Sequence, residues 1–468
     1  MSDRSLLITG GRVVNANFEL DADVFIEGGI ITALVERGAR PRFSTEDFEV
    51  VEADGMLVMP GGVDPHCHVG FTSGGYTSLD NYAGATRAAV LGGTTTIVDF
   101  AIPGKGERPL EAVIRQRDLA EGGYCDSALH ACVVSWDAQS SNELDVLAAQ
   151  GIVTVKLFTT YSGDTMADES TILKTLTHLR STGGLAYVHA ESNSLVESSQ
   201  LDAVERNQIS AGFHGETRSE LAEVAAVRTV LDLAEAAGAP VYFVHQSTPA
   251  AIEAVREARN RGLRVFSETV VHHLVLDDAV YEGDCPELYV CCPPIRSKNS
   301  MLRVGELLVS GHVDTVGSDH CCYDTQQKTS SKSDVRTMPN GLPGVETRLP
   351  VLFSQFVTTG RMTAMKFVEL SSANPARLNG LFPRKGLIAP GSDADIVLWD
   401  PSAKVTLRSS DLHMATDFTP YEGISVTGRP IAAFVRGRSV VRKGEFIDSA
   451  PRGRHVKASP VFLPKEAS

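Results

Sequence analysis

The sequence predicts an α/β protein in which a (β/α)8 barrel of the TIM type carries a small β-sandwich domain built from the N- and C-terminal segments. Strand-like and helix-like patterns alternate through residues 60–385, and eight such units over about 260 residues match the count and length of a (β/α)8 barrel. Short strand-like runs between glycine turns occupy both ends of the chain. Several predicted barrel strands end in a side chain that can bind a metal.

Residues 1–59 are predicted to form a series of short strands. The candidates are Leu6–Ile8, Arg12–Val14, Asp23–Ile26, Ile30–Val35, Glu49–Glu52 and Met56–Met59. Gly10-Gly11, Gly28-Gly29 and Asp54-Gly55 separate them as turns. So small a β unit cannot bury both of its faces alone, and we expect it to pair with a later segment.

Residues 60–385 are predicted to form the barrel, with Met56–Met59 leading in as its first strand. The other strand candidates are Thr94–Phe100, Ala128–Ser135, Val153–Phe158, Leu185–Val188, Val241–Val244, Leu263–Ser267 and Thr315–Gly317. The helical stretches between them include Leu79–Leu91, Pro109–Glu121, Asp168–Thr182, Arg218–Ala237 and Pro249–Arg261. A doubly wound open sheet is the alternative, but no Gly-X-Gly-X-X-Gly follows the first strand to support dinucleotide binding.

The pattern returns to turns and strands after Asn374-Pro375-Ala376. Residues 386–445 contain an apolar strand that ends at Trp399 and three further candidates, Ile424–Thr427, Ile431–Arg436 and Arg438–Val441. These residues are predicted to complete the β-sandwich domain begun by residues 1–59. Residues 446–468 are predicted to form a C-terminal tail, and its part from Ala450 onward, which includes Pro451, Pro460 and Pro464, is predicted to be a mobile arm or an oligomer contact.

Composition excludes several classes of partner. A formal net charge of −15 and a pI near 5.4 argue against nucleic acid or an anionic membrane as the main partner. No apolar run is long enough to span a membrane, and no secretory signal is expected at the N-terminus. The eight cysteines include the adjacent pairs Cys291-Cys292 and Cys321-Cys322 and no Cys-X-X-Cys, so we expect reduced thiols and a cytoplasmic protein.

Candidate metal ligands stand at the ends of the predicted barrel strands. His66 and His68 flank Cys67, and because side chains alternate along an extended backbone, both imidazoles should point to the same side. The other candidates are Lys156, His189, His245 and Asp319. Each alone could be an ordinary buried side chain, but the carboxyl ends of barrel strands meet at one face, so together they predict a metal site.

Lys156 is unusual because it lies within an apolar strand. Burial disfavours the charged ammonium and lowers its pKa. The amine could act as a base or nucleophile, it could be converted chemically to an anion, or it could reach solvent at the rim of the barrel.

These motifs resemble the cyclic amidohydrolases, and within them the dihydropyrimidinase and hydantoinase group. The matching segments are Asp64-Pro-His-Cys-His68, Lys156-Leu-Phe-Thr-Thr-Tyr161, His189-Ala-Glu191, His245, Gly317-Ser-Asp-His320, Pro339-Asn-Gly-Leu-Pro-Gly-Val-Glu346 and Tyr421-Glu-Gly-Ile-Ser-Val-Thr-Gly428. The resemblance covers nearly all of residues 5–445. It implies a homo-oligomer, specifically a tetramer, that acts on a small cyclic amide.

The resemblance also implies a site with two divalent metal ions, zinc in the first place, with manganese or cobalt as alternatives. The implied ligands are His66, His68, Lys156, His189, His245 and Asp319. Lys156 would be an N6-carboxylysine that bridges the ions, and its carbamate would be an anion that two cations neutralise. The implied reaction opens the ring of a dihydropyrimidine or a 5-substituted hydantoin by attack of a metal-activated hydroxide on the ring carbonyl.

In that reaction Asp319 would act as general base and then acid, and Tyr161 would donate to the developing oxyanion. Backbone groups near Cys292 and Asn340 would bind the cyclic imide. Two residues depart from the usual pattern of the group. Cys292 replaces a serine, and Cys67 replaces a threonine and is expected to point away from the ions.

Phe71 and Tyr76, in the loop of residues 70–80, are predicted to set selectivity for the ring substituent. The alternatives within enzymes are an allantoinase or a dihydroorotase. A dihydroorotase should offer a basic side chain for the substrate carboxylate, and the sequence alone assigns none. Non-enzymatic scaffold relatives of dihydropyrimidinase have lost metal ligands, whereas all six are present here.

Overall fold

Eight parallel strands form the barrel in the computed structural model, which describes residues 5–39 and 48–462. In chain order these strands are Gly62–Cys67, Thr94–Ala101, Asp126–Cys132, Thr154–Phe158, Leu185–His189, Val241–Phe243, Val265–Val270 and Thr315–Gly317. Each pairs with the next along the chain. The backbone N–H of His68 donates to the carbonyl of His320 over 2.8 Å and joins the first strand to the segment after the last. The predicted barrel is confirmed.

Helices alternate with the barrel strands. The longer ones are Tyr82–Leu91, Pro109–Leu119, Ser140–Ala149, Glu169–Thr182, Asn193–Glu205, Glu220–Ala237, Pro249–Asn260 and Lys298–Val309. Shorter ones are His214–Thr217, Val271–Val275, Thr325–Thr329, Arg348–Leu352, Ala364–Val368 and Asn374–Leu378. Helix Glu169–Thr182 illustrates the local signals, since Asp168 caps it by accepting from Thr171 N–H over 2.7 Å and Gly183 ends it at a φ of 73°. Among the described residues, no helix is both long and apolar enough to cross a membrane.

The prediction for the first barrel strand is wrong. Leu57–Pro60 pairs with Arg12–Val14 and with Ile396–Thr406, so it belongs to the second domain, and the barrel begins at Gly62–Cys67. A Cβ at Gly61 would lie 2.0 Å from Thr95 Oγ1, so only glycine lets the chain pass from one sheet into the other here.

Within residues 5–39 and 48–462, the second domain contains ten strands drawn from both ends of the chain. They are Ser5–Thr9, Arg12–Val14, Glu19–Glu27, Ile30–Glu36, Phe48–Glu52, Leu57–Pro60, Ile396–Thr406, Ser425–Val435, Arg438–Arg442 and Glu445–Phe446. They form one hydrogen-bonded sheet that curls over a shared core, in which Ile8 and Val24 pack with Leu398 and Phe434. The predicted domain built from both termini is therefore confirmed, and the limits drawn between it and the barrel stay a prediction.

The segment 453–462 lies against the N-terminal face of the barrel. Ser127 N–H donates to the carbonyl of Arg454 over 2.9 Å, and Val456 N–H donates to the carbonyl of Ser127 over 2.7 Å. Val456 is also 1% exposed and packs in the core beside Val63. The prediction of a mobile arm is wrong for this segment, because its backbone pairs with the barrel. Pro464 lies outside the described residues.

A buried ion cluster connects the barrel to the sheet. The Lys385 ammonium lies 2.6 Å from Asp126, 2.9 Å from Asp393 and 2.7 Å from Asp395. Burial acts to lower the pKa of Lys385, but the three carboxylates outweigh it and hold that pKa well above its ordinary value. We expect Lys385→Met to reduce the free energy of unfolding by about 3–5 kcal/mol, because it leaves the buried Asp395 without a cationic partner and leaves Asp126 and Asp393 with only Arg436 and Arg384.

The pH dependence of this loss follows from the sign of the shift. A lysine whose folded-state pKa exceeds its unfolded value of about 10.4 contributes fully below that pH and loses its contribution as pH rises through the folded value. Denaturant unfolding should therefore give a constant difference between wild type and Lys385→Met from about pH 8 to 10. Lys366→Met, which removes a partly exposed pair with Glu369, should cost at most about 1 kcal/mol. A Lys385→Met effect as small as that would contradict the assignment.

Candidate metal centre and active site

A cavity of about 510 Å³ opens at the carboxyl ends of the barrel strands. The predicted site residues that line it are His68, Lys156, Tyr161, His189, His245, Cys292, Asp319 and Asn340. His66 lies behind them and is fully buried. The fold thus gathers all nine predicted site residues at one place, while the role of each stays a prediction.

The first and last barrel strands bring His66, His68 and Asp319 together. Asp319 Oδ1 lies 3.0 Å from His66 Nε2 and 3.2 Å from His68 Nε2. Beneath them the Asp64 carboxylate accepts from the backbone N–H of Ser318 over 3.1 Å and from that of His66 over 3.3 Å. Asp64 therefore holds the two strands in the register that aligns these three side chains.

Glu268 is a site residue that the sequence analysis missed. Its Oε1 accepts from His66 Nδ1 over 2.7 Å and from the backbone N–H of His245 over 2.9 Å. Its Oε2 accepts from the Tyr242 hydroxyl over 2.7 Å. Glu268 thereby fixes the His66 ring with Nε2 toward the cavity side and supports the backbone of His245. An acidic residue inside the buried strand Val265–Val270 was the available signal.

The four imidazole rings of His68, His66, His245 and His189 lie next to one another in that order. Ring centres lie 5.3 Å apart for His68 and His66, 5.3 Å for His66 and His245, and 4.5 Å for His245 and His189. Burial lowers the pKa of His68 to about 4 and also lowers the pKa of His189 and of His245. These three rings are therefore neutral at pH 7, which is the form that binds metal ions.

His189 is oriented by a buried ion pair. Its Nε2–H donates to Glu191 Oε2 over 2.8 Å, and Arg218 donates to the same oxygen over 2.5 Å. The Arg218 guanidinium also lies 5.2 Å from the centre of the Tyr161 ring. Arg218 was not among the predicted site residues, because nothing in the sequence pairs it with a residue 27 positions earlier.

Lys156 is 0% exposed and makes no hydrogen bond or ion pair within residues 5–39 and 48–462. Its ammonium lies 4.5 Å from the centre of the Phe100 ring and 4.9 Å from that of Phe158. Burial lowers its pKa to about 8, although Asp319 and Glu268 act in the opposite direction. This complete burial argues against the alternative in which the ammonium reaches solvent at the rim.

Three site residues have strained backbones. Tyr161, His245 and Asp319 have φ values of 71°, 37° and 50°, in the region that side chains other than glycine seldom adopt. Each such residue costs free energy that the surrounding structure must offset, and such residues cluster at functional sites. Tyr161, His245 and Asp319 all border the same cavity, so the strain marks this cavity rather than a surface turn.

The donor set fits divalent metal ions. His66, His68 and Asp319 each offer an atom within 4.8 Å of the others. His68 Nδ1 and His245 Nδ1 are buried without a hydrogen-bond partner among the described residues, and His66 Nε2 faces the Asp319 carboxylate. Burial opposes charge on His66, yet Asp319 and Glu268 raise its pKa to about 9, because the two carboxylates lie 3.0 Å and 2.7 Å from its ring nitrogens. Nitrogen and oxygen donors without sulfur are typical of zinc, manganese and cobalt sites.

A second cluster near the site, formed by Asp80, His320 and Cys322, does not resemble a metal site. His320 Nε2–H donates to Asp80 over 3.1 Å, and His320 Nδ1 accepts from Gly344 N–H over 3.2 Å. Both ring nitrogens are therefore used in protein hydrogen bonds.

Tyr161 and Cys292 both line the cavity, and their side chains are in contact. Burial raises the pKa of Tyr161 well above its ordinary value, so the phenol keeps its proton and can donate. Burial also raises the pKa of Cys292 to about 11, although contact with Tyr161 acts in the opposite direction. Asn340 donates from Nδ2 to the carbonyl of Met338 over 3.4 Å, while its buried Oδ1 has no hydrogen-bond partner in the described chain.

The loop of residues 70–80 contributes Phe71 to the cavity lining but not Tyr76. The Tyr76 hydroxyl instead lies 3.0 Å from the hydroxyls of Ser330 and Ser331, where it anchors the loop. Cys67 is fully buried with its sulfur 3.8 Å from the Ser318 hydroxyl.

Comparisons with known proteins agree with this geometry. The model of the amidohydrolase family matches residues 57–440. A D-hydantoinase of Streptomyces coelicolor is 37% identical over 97% of this chain and 98% of its own, and a dihydropyrimidinase of Rattus norvegicus is 35% identical over 97% and 89%. The crystal structure of a dihydropyrimidinase from Brevibacillus agri superposes with a TM-score of 0.94 at 36% identity, covering 98% of this chain and 99% of that one.

Proposed function

The chain belongs to the amidohydrolase family, in the group of hydantoinases and dihydropyrimidinases, and from this premise we propose that it hydrolyses cyclic amides. The proposed substrates are dihydropyrimidines or 5-substituted hydantoins, whose ring opens at an amide bond. The observation that carries the proposal is the cavity at the carboxyl ends of the strands, which is lined by three imidazoles, a buried lysine and a carboxylate and has His66 directly behind this lining.

Two divalent ions are proposed for this site, zinc first, with manganese or cobalt as alternatives. The residues that would hold them are His66, His68, Lys156, His189, His245 and Asp319. When bound there, the ions would polarise the ring carbonyl and make a water molecule nucleophilic at neutral pH. Lys156 is proposed as N6-carboxylysine, because an anionic side chain suits this buried position between cations whereas an ammonium would repel them.

Asp319 is proposed to accept the proton of the attacking water and to return it to the leaving ring nitrogen. Burial acts to raise the pKa of Asp319, but its contacts with His66 and His68 outweigh burial and hold that pKa well below the ordinary value. The carboxylate is therefore ionised at neutral pH and can act as a base. Its position in the cavity lining supports the same role.

Tyr161 is proposed to donate its hydroxyl proton in a hydrogen bond to the oxyanion that develops on the ring carbonyl. The raised pKa of its phenol keeps that proton in place at neutral pH. Main-chain groups at Cys292 and Asn340 are proposed to bind the imide edge of the ring, which presents paired donors and acceptors.

Substitution of Cys292 by serine tests whether main-chain groups, rather than the Cys292 side chain, bind the imide edge of the ring. We expect Cys292→Ser to change kcat/KM by less than about tenfold, roughly 1.4 kcal/mol, because the backbone amide and carbonyl are unchanged. Cys285→Ser, at an exposed cysteine away from the cavity, is the matched control. A hundredfold change in either direction would make the Cys292 side chain a specificity determinant and would overturn the main-chain reading.

A substrate panel tests the proposed function itself. Purified, metal-loaded protein should hydrolyse dihydrouracil, phenylhydantoin or both, and chelation should abolish that activity. Turnover confined to allantoin or dihydroorotate would overturn the proposal in favour of those alternatives. The relatives do not favour them, and the cavity arginines Arg218 and Arg336 already pair with Glu191 and Asp334.

A homotetramer and a cytoplasmic location complete the proposal. The tetramer rests on the family resemblance, and the location rests on the cysteine pattern expected of reduced thiols.

A further inference from the structure

Lys328 is a fully buried cation close to the cavity but outside the proposed chemistry. It lies on the short helix Thr325–Thr329 and is 0% exposed. Its ammonium donates to the carbonyl of Val290 over 2.7 Å and to the carbonyl of Pro339 over 3.0 Å. Within the described chain it pairs with no carboxylate.

The two carbonyls belong to the two loops that are proposed to read the substrate ring. Val290 lies two residues before Cys292, and Pro339 directly precedes Asn340. The backbone N–H of Gly341 also donates to the carbonyl of Val290, over 3.2 Å. The Lys328 ammonium therefore sits where the two loops meet and bonds to both.

The second loop has a further contact that limits how far it can shift. A Cβ on Gly341 would lie 2.5 Å from Cβ of Cys321, so the second loop packs directly on the segment that follows Asp319. Cys321 N–H also donates to the carbonyl of Leu342 over 3.1 Å. Lys328 thus completes a contact set that fixes both loops relative to the segment carrying Asp319.

The free-energy cost of burying the Lys328 ammonium indicates that its hydrogen bonds to the two loops have a role that an apolar side chain could not fill. An ammonium that faces only neutral carbonyls is expensive to bury, and burial lowers the pKa of Lys328 to about 8. An apolar side chain would fill the same volume without that cost. The Tyr323 ring, 5.6 Å away, adds only a weak cation–π contact.

We propose that Lys328 is a positioning residue for substrate recognition, which fixes the separation of the main-chain groups at Cys292 and Asn340 that bind the imide edge of the ring. This proposal rests on the proposed function for its kinetic consequence. Its structural part, the clamp between the two loops, does not depend on which ring is the substrate.

The test compares Lys328→Met with wild type in the full-length, metal-loaded enzyme. Methionine keeps most of the stem volume and removes all donors, so KM for the best cyclic substrate should rise at least about tenfold while kcat changes less than about threefold. Metal content should be unchanged, and exchange of the Gly341 amide hydrogen should accelerate at least about tenfold. Lys328→Gln, which keeps two donors on a shorter stem, should give intermediate values.

Lys298→Met is the matched control, since that lysine is exposed at the start of helix Lys298–Val309. It should leave KM, kcat and exchange unchanged. A Lys328→Met enzyme whose Tm falls while KM and Gly341 exchange stay at wild-type values would show a purely structural role and overturn the proposal. If wild type hydrolyses no cyclic amide, the proposed function fails, and the exchange rate of Gly341 still decides whether the clamp exists.

Discussion

Lys156→Ala should reduce turnover of the ring substrate at least about 10³-fold, roughly 4 kcal/mol in the barrier, and should lower the bound metal to less than half of the wild-type content. The reason is that Lys156 is buried with no hydrogen bond or ion pair among the described residues, beside imidazoles and a carboxylate whose arrangement suits cations. As a carbamate it would supply the anion that holds two ions together. The alanine side chain has no atom that can bind a metal ion. Metal analysis and steady-state kinetics on the same preparation measure both effects.

Rescue separates a lost ligand from a damaged fold. A small carboxylate such as acetate or propionate can occupy the space left by the side chain, so it should restore part of the activity of Lys156→Ala in the presence of metal. Lys174→Ala, on the exposed side of helix Glu169–Thr182, is the control and should keep normal activity and metal content. Near-normal turnover of Lys156→Ala would show that the carbamate assignment is wrong.

The placement of the candidate site was predictable because it follows from topology. In a parallel barrel every strand ends at the same face, so strand-end residues far apart in sequence, such as His68 and His245, must converge if the strands are assigned correctly. A shift of a few residues in a strand boundary does not change which face a strand end occupies. The candidate ligands were therefore predicted at the correct face of the barrel even where the predicted limits of the strands were wrong.

The first barrel strand was missed because its sequence contradicts strand preferences. Gly62–Cys67 begins with glycine and contains Pro65, which removes a backbone donor. The pairing of this strand with Thr94–Ala101 changes register between Asp64 and Cys67, the interval that contains Pro65. Such an irregularity in the pairing accommodates a proline. The irregular pairing can be seen only once the neighbouring strand is in place, so the local sequence of Gly62–Cys67 could not have predicted it.

The residues that support the site were not predictable for a different reason. Glu268 and His66, which are joined by a hydrogen bond, lie 202 residues apart in the sequence. Lys328 and Val290, which are also joined by a hydrogen bond, lie 38 residues apart. Composition can mark a charged residue in an apolar stretch as unusual, but its partner depends on how the barrel closes. The same holds for segment 453–462, whose backbone hydrogen bonds to the barrel leave no periodic signal in its own sequence.

Asp319→Asn should lower kcat by about 10³-fold, within the range that general acid–base catalysis contributes, while KM changes less than about tenfold. The amide keeps nearly the same shape in a position 3.0 Å and 3.2 Å from the nitrogens of His66 and His68, so the cavity should still bind the ring. What it loses is the negative charge that accepts a proton from water. At least half of the metal should remain, because five other proposed ligands are intact.

Asp314→Asn provides a control at the opposite end of the same strand. Asp314 precedes Thr315–Gly317 at the N-terminal face of the barrel, where its carboxylate accepts from Arg259 over 2.6 Å. Because residues at that face contribute to stability rather than to chemistry, Asp314→Asn should lower Tm and leave kcat near the wild-type value. The pair thus separates proton transfer from strand stability within one element. An Asp319→Asn enzyme that kept more than about a tenth of the wild-type kcat could not have lost its proton carrier, and another group would have to be sought among the cavity residues.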